Sequence, residues 1–389
     1  MSSDPSRPAP QHEARLRAVA EAFAIPGRWL YAAPYGNGHI NETLLAVFEC
    51  GDGRAARYIQ QRINRSVFRE PERLMENIAR VTAHQHAVLA RERTPDAARR
   101  ALALVPTRDG AHVLVDADGE CWRTYHFIEG ASSHDVVRSA ADALAVAEAF
   151  GRFQAQLADL PGGRLHETIP RFHHARDRFE ALRRVAREDP HGRLAGARPE
   201  FAFIAAREGI VDRLQDARAR GALPERVAHN DTKLNNVLLD DETGEPMCII
   251  DLDTVMPGLV LHDFGDLVRT ATSPAAEDER DLSRVGARAE LFAALVEGYL
   301  RGAGGFLVPA ERAELAFAGR LVTLMLGMRF LTDHLAGDRY FRIHRAGHNL
   351  DRCRVQLRLV ESLEQLGGRL SELVECAEAR RRLLAKVGP

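Results

Sequence analysis

Between two long helical stretches lies one short β island, residues 227–251, and its layout limits the folds open to this chain more than any other feature. Within it, NVLLD (236–240) and MCIID (247–251) are short apolar runs joined by DETGEP, whose Asp, Gly and Pro are turn formers. They read as an antiparallel hairpin. Upstream, from about 30 to 127, the β-type runs NETLLAVFEC, AARYIQQRI, AHVLVDA and CWRTYHFI are separated by Gly-Asn-Gly, Gly-Asp-Gly and Asp-Gly turn signals. One helical segment, PERLMENIARVTAHQHAVLARE, interrupts them. Beyond IEGASS, apolar residues recur at helical spacing near 138–158, 172–188, 199–220, 285–301, 309–336 and 348–365. Strands first and helices later, without βαβ alternation, predict an α+β chain in two lobes. The expected division is a small sheet lobe over 1–127, a connector at 128–133 and a larger, mainly helical lobe over 134–389.

The hairpin also predicts chemistry. If Asp240 faces Met247, then Asn236 faces Asp251 across the ladder, roughly 4.5–5.5 Å apart at Cα. An amide oxygen and a carboxylate then reach one hard cation, a donor set suited to Mg²⁺ that keeps waters and substrate phosphates in its other positions. The loop HNDTK (229–233) enters at the same end and carries Lys233, one of only two lysines, the other being Lys386. Asp231 can accept a proton from an attacking hydroxyl, and Lys233 can neutralise a transferred phosphoryl group. Asp, Lys at +2, Asn at +5 and a hairpin ending in Asp form the catalytic segment of kinase-type phosphoryl transfer. Capping residues and a satisfied core Asp are the alternative reading. Asp263-Phe264-Gly265 spells the metal-binding triplet of protein kinases, but it lies past the turn MPG in a helix start, so Asp263 or Asp266 is expected to cap a helix or brace the loop. Asp253 shares the side of Asp251 if the strand continues, as a second ligand or an outer-sphere group.

Composition narrows the partners. A net charge of -2 offers no field for nucleic acid or an anionic membrane, so small ligands are expected. Five scattered cysteines, never in CxxC form, argue against a disulfide framework or thiolate zinc. With no signal-like N-terminus and no run of 18 uninterrupted apolar residues, a cytoplasmic protein is expected. No GxxxxGK[ST] can be written anywhere, which excludes a Walker loop.

HNDTKLNNVLLD, with IIDLDTVMPG and HDFGDLVR, resembles the N-acetylhexosamine 1-kinases, a family within the aminoglycoside phosphotransferase and choline kinase group, whose fold is protein-kinase-like. PYGNGHINETLL, RYIQQRINRSVF, LMENI, YHFIEG and GMRFLTDHLAGDRYF with GHNLDR extend the likeness, in order, over about 34 to 365. The resemblance implies transfer of phosphate from ATP, with Mg²⁺, to the anomeric hydroxyl of N-acetylglucosamine or N-acetylgalactosamine. It implies Asp231 as general base, Asn236 and Asp251 as metal ligands, Gly36, Asn37 and Gly38 over the nucleotide phosphates, and His39, Arg329 and Tyr340 in the sugar pocket. Alternatives stay open for several of these. Gly-x-Gly serves equally as a plain turn, Arg329 can pair with Asp333 one helical turn on, and Tyr340 can plug the core. The strand lysine of protein kinases is missing: RYIQQRI offers Gln60, Gln61 or Arg62, with Glu76 of LMENI as a partner. The nucleotide is expected near the connector, against Phe127 and Glu129. Rival readings are a kinase for an aminoglycoside, choline or another hydroxyl acceptor, disfavoured by the basic run RYFRIHR, and a non-catalytic nucleotide-binding pseudokinase.

Overall fold

The computed structural model describes residues 10–36, 40–134 and 136–387. The chain divides into two compact units, residues 1–131 and 132–389. The first contains α1 (Pro10–Ala22), β1 (Arg28–Pro34), β2 (Glu42–Glu49), β3 (Ala55–Arg62), α2 (Pro71–Arg91), β4 (Leu104–Val105), β5 (Leu114–Val115) and β6 (Cys121–His126). These strands form one antiparallel sheet in the order β1-β2-β3-β6-β4, with β5 also paired to β6. Alternation decides which face is buried. Leu44, Ala46, Phe48, Tyr58 and Trp122 lie on one side and pack with Leu16, Val19 and Ala20 of α1 and with Phe23, which follows it. Pro71 opens α2 at its first turn, where the missing N–H costs nothing.

The second unit is mainly helical: β7 (Ala131–Ser133), α3 (Ala140–Gln156), α4 (Ala175–Glu188), α5 (Arg198–Ala205), α6 (Arg213–Ala219), β8 (Arg226–Ala228), β9 (Val237–Asp240), β10 (Pro246–Ile249), β11 (Met256–Gly258), α7 (Val260–Ala271), α8 (Ala289–Ala303), α9 (Pro309–Ala313), α10 (Leu315–Leu335), α11 (His348–Gln365) and α12 (Gly367–Val387). Helix α10 is apolar on nearly every side because it runs through the core, with 78% of its most apolar window buried. By length and composition it could cross a membrane, but burial among other helices already accounts for its character.

Helices α3 and α8 approach at backbone distance. A Cβ on Gly298 would lie 2.0 Å from the carbonyl oxygen of Leu144, and one on Gly302 would lie 2.3 Å from that of Glu148. Small residues in both helices allow this closeness. Gly298→Ala is expected to cost about 1–3 kcal/mol by overpacking, read as a lower denaturation midpoint with an unchanged m-value. An unchanged midpoint would refute the close contact.

The hairpin forms, but not in the expected register. Leu238 pairs with Cys248 and Val237 with Ile249, while Asp240 bonds to Glu245 and a bulge lies between Pro246 and Cys248. Asn236 therefore faces Ile250, whose N–H reaches the Asn236 carbonyl at 2.9 Å, and not Asp251. The error has a physical source: Asp240 holds the loop DETGEP through turn bonds to Glu242 and Thr243 and pairs with Glu245, two residues short of Met247, and the bulge after Pro246 restores one of the two. Nor does the strand continue to Asp253. Asp251 takes a left-handed conformation (φ +59°), and Leu252–Thr254 form a 3-10 turn. MPG is strand β11, paired with β8.

Candidate active site

The loop between β8 and β9 gathers the charged residues. Lys233 Nζ lies 2.9 Å from Asp231 Oδ2. The Asn236 amide nitrogen donates to the Asp231 carbonyl (2.8 Å) and to its carboxylate (3.2 Å). With its N–H groups turned to Asp231, the amide of Asn236 is left with its oxygen as the donor toward a cation. Asp251 enters through the hairpin bond next to it and through its field, since Asp251 with Asp231 holds the Lys233 ammonium above its usual value against the opposing effect of burial. Burial works against ionisation of Asp231, but the Lys233 charge and hydrogen bond outweigh it, so the carboxyl titrates below its ordinary range. Asp231 is ionised at neutral pH.

What holds the loop in place is one buried carboxylate. Asp263, in the first turn of α7, accepts the backbone N–H of His229 (2.8 Å) and of Asn230 (2.6 Å), and the Gln154 amide (2.5 Å). Its own carbonyl accepts the Thr232 hydroxyl (2.6 Å). Burial pushes its carboxyl up to about 6, against the His229 charge and these hydrogen bonds, which favour the ionised form. Asp263 thus braces the loop, the second of the two roles expected for it. Asn230 has a left-handed backbone (φ +65°) and its amide ties Ala228 to Thr254, which closes β8 against the turn after Asp251. Asp266 instead forms a buried ion pair with Arg269 at 2.6 Å.

Asp253 is buried, and its carbonyl accepts the Thr168 hydroxyl at 2.8 Å. The donor set fits Mg²⁺ as a sparse site: Asn236 Oδ1 and the exposed carboxylate of Asp251 are hard oxygen donors. Among the described residues no group of three or more His, Cys, Asp or Glu could hold a metal, so water and phosphate oxygens would complete the shell.

Two of the residues assigned by resemblance to the acceptor, Arg329 and Tyr340, form a separate cluster in the same unit. Arg329 does not pair with Asp333, whose carboxylate accepts the N–H groups of Arg339 (2.9 Å), Tyr340 (2.8 Å) and Phe341 (2.9 Å) and the Asn349 amide (2.9 Å). The guanidinium of Arg329 lies 5.6 Å from the Tyr340 ring and 3.4 Å from its hydroxyl. Tyr340 is 53% exposed and plugs no core. His39 lies outside the described residues, as do Asn37 and Gly38. His348 Nδ1 accepts the His344 N–H, and its Nε2 is 3.0 Å from Asp278.

In the first unit, Gly36 has φ +74° and Glu76 is on the exposed side of α2. The Gln61 amide donates to Thr43 (3.0 Å) and accepts from Arg123 (2.9 Å), while Arg62 pairs with Glu42 (2.8 Å). The Phe127 ring lies 4.1 Å from the Arg57 guanidinium, which also binds the Glu129 carboxylate. Sequence reasoning missed Arg123, a fully buried guanidinium, and His173, whose Nε2 is 2.8 Å from the Asn230 carbonyl. The dense run PRFHHARDRF was the available signal for the latter.

The phosphotransferase enzyme family (APH) matches residues 98–316, more than half of the chain. An aminoglycoside phosphotransferase from Alicyclobacillus acidocaldarius subsp. acidocaldarius DSM 446 superposes with a TM-score of 0.57 at 14% identity, over 96% of this chain and 98% of that one. An amicoumacin kinase solved with AMP-PNP, Ca²⁺ and Ami gives 0.55 at 12%, over 89% and 93%. Choline kinase from Cryptosporidium parvum Iowa II gives 0.50 at 13%, over 93% and 98%. At such identities the likeness is one of fold, a small sheet lobe with a larger helical lobe in the protein-kinase-like manner. The chain belongs to the phosphotransferase enzyme family (APH).

Proposed function

We propose that the chain is an ATP- and Mg²⁺-dependent kinase acting on the anomeric hydroxyl of an N-acetylhexosamine, N-acetylglucosamine or N-acetylgalactosamine, in the cytoplasm. The observation that carries the phosphoryl-transfer reading is the contact of Asp231 with both Lys233 and Asn236. In the proposed step the anomeric oxygen bonds to the γ-phosphorus as the bond to the ADP oxygen breaks, and the hydroxyl proton passes to Asp231. A loose transition state asks little of a base until late, so a carboxylate held ionised is adequate. Lys233 would leave Asp231 for a phosphoryl oxygen and offset its charge. Asn236 and Asp251 would hold Mg²⁺, which when bound neutralises the phosphates. In the first unit, proposed as the nucleotide-binding lobe over 1–127, Gly36, Gln61, Glu76, Phe127 and Glu129 are the residues assigned to ATP. Residues 128–133 are its connector and 134–389 the catalytic lobe.

A sugar acceptor is favoured by the exposed Tyr340 ring beside Arg329, an apolar face next to hydroxyl-binding donors. The cationic surroundings disfavour an aminoglycoside or choline. ADP release measured over a panel of free sugars, aminoglycosides and choline, with NMR identification of the esterified hydroxyl, is expected to give sugar 1-phosphates. Esterification elsewhere, or turnover of cationic acceptors alone, would refute the assignment; no ADP release with any acceptor would support the pseudokinase alternative.

A further inference from the structure

Resting on the sugar-kinase reading above, we propose that the preferred acceptor is an anionic sugar, a hexose carrying a carboxylate or a phosphate ester besides its anomeric hydroxyl, with that charge met by Arg329 and Arg178. The guanidinium of Arg329 is surrounded by rings, at 5.0 Å from Phe172, 5.6 Å from Tyr340 and 5.3 Å from Phe341. Arg178, on α4, donates to the Phe172 carbonyl through Nη2 (2.8 Å) and Nε (3.3 Å). Among the described residues neither guanidinium is paired with a carboxylate. Asp333, the acid one turn along α10 from Arg329, is taken up by three backbone N–H groups and Asn349, and Asp177 is bound by Arg171.

Two like charges therefore share a partly buried corner. Burial, and then repulsion from Arg329, hold the Arg178 guanidinium down to about 10. Most other arginines of this chain sit against carboxylates, as Arg176 does with Asp212 and Glu208, so the bare pair is a departure from the local habit. A neutral sugar would leave that repulsion in place. An oxyanion would relieve it and match the planar donor fork of each guanidinium. The corner is open through Tyr340, and it borders the chemistry: Phe172 precedes His173, which touches the carbonyl of Asn230, the residue before Asp231.

The test is a comparison of kcat/KM for the full-length protein with neutral N-acetylhexosamines and hexoses, with hexuronic acids, and with hexose and N-acetylhexosamine 6-phosphates. At least one acidic class is expected to exceed the neutral sugars by about 10- to 100-fold, the range of one or two charge-assisted hydrogen bonds; the carboxylate and phosphate arms decide which anion is meant. In Arg178→Gln the acidic-to-neutral ratio is expected to fall toward one, and raising the salt concentration should lower the wild-type ratio. The comparison on wild type stands even if the variant does not fold. Neutral sugars turned over as well as or better than both acidic classes would overturn the anion requirement while leaving the sugar-kinase reading standing. ADP release that no sugar of any class stimulates would overturn both.

Discussion

Asp231→Asn is expected to lower kcat by about 10³, within the range for losing a positioned proton acceptor, while leaving KM for ATP within a few fold. The substitution keeps a side-chain oxygen for the Asn236 amide and removes the charge. Asp231 is part-exposed and outside the main packing, so thermal stability should change little. A loss confined to kcat is the signature of an interaction made in the transition state. Steady-state kinetics with circular dichroism as a folding control decides it: kcat within tenfold of wild type would remove Asp231 from the proposed step.

Asp263→Ala should instead damage the fold. It strands the backbone N–H groups of His229 and Asn230 in a site without water access, and it frees Gln154 as well. Each buried donor left without an acceptor costs about 1–3 kcal/mol, so a total of about 2–5 kcal/mol is expected. Urea unfolding measures it. Activity should fall too, because Asp231 follows directly on the two braced residues. A variant with wild-type stability would mean that the loop is held by other contacts, such as the Thr254 hydroxyl on the His229 carbonyl (2.7 Å).

How much of this was legible in the sequence depends on the range of the interaction. The two-lobed α+β layout rests on local periodicity and turn residues, and β2, β3, β6, α2 and α10 appear where those signals lie. The meeting of Asp231, Lys233 and Asn236 was legible because all three lie within six residues on one loop. The hairpin register was not, since the tight turn at Asp240 and the bulge after Pro246 together shift it. Strands β1 and β11 went unread because RWLYAAP and MPG have no alternation of their own and exist through pairing. The segment 199–220, read as one helix, is broken into α5 and α6 by residues that bond to distant partners, such as Arg207 to Glu364. Pairing of Arg329 with Asp333 on its own helix was one of two readings left open. Arg329 instead rests on rings from α4's approach and from the loop after α10, contacts no spacing rule encodes.

Helix α7 carries a further implication. Two residues after Asp263, Gly265 meets α10 so closely that an added Cβ would lie 2.6 Å from the Ala318 carbonyl oxygen and 2.6 Å from a Val322 methyl. The aim of the Asp263 carboxylate is thus set by how deeply α7 seats in a groove of the neighbouring helix. Bulk introduced anywhere along that seam would turn the helix about its axis and mis-seat the loop, so drift in such unremarkable interior positions should surface as impaired turnover before it surfaces as unfolding.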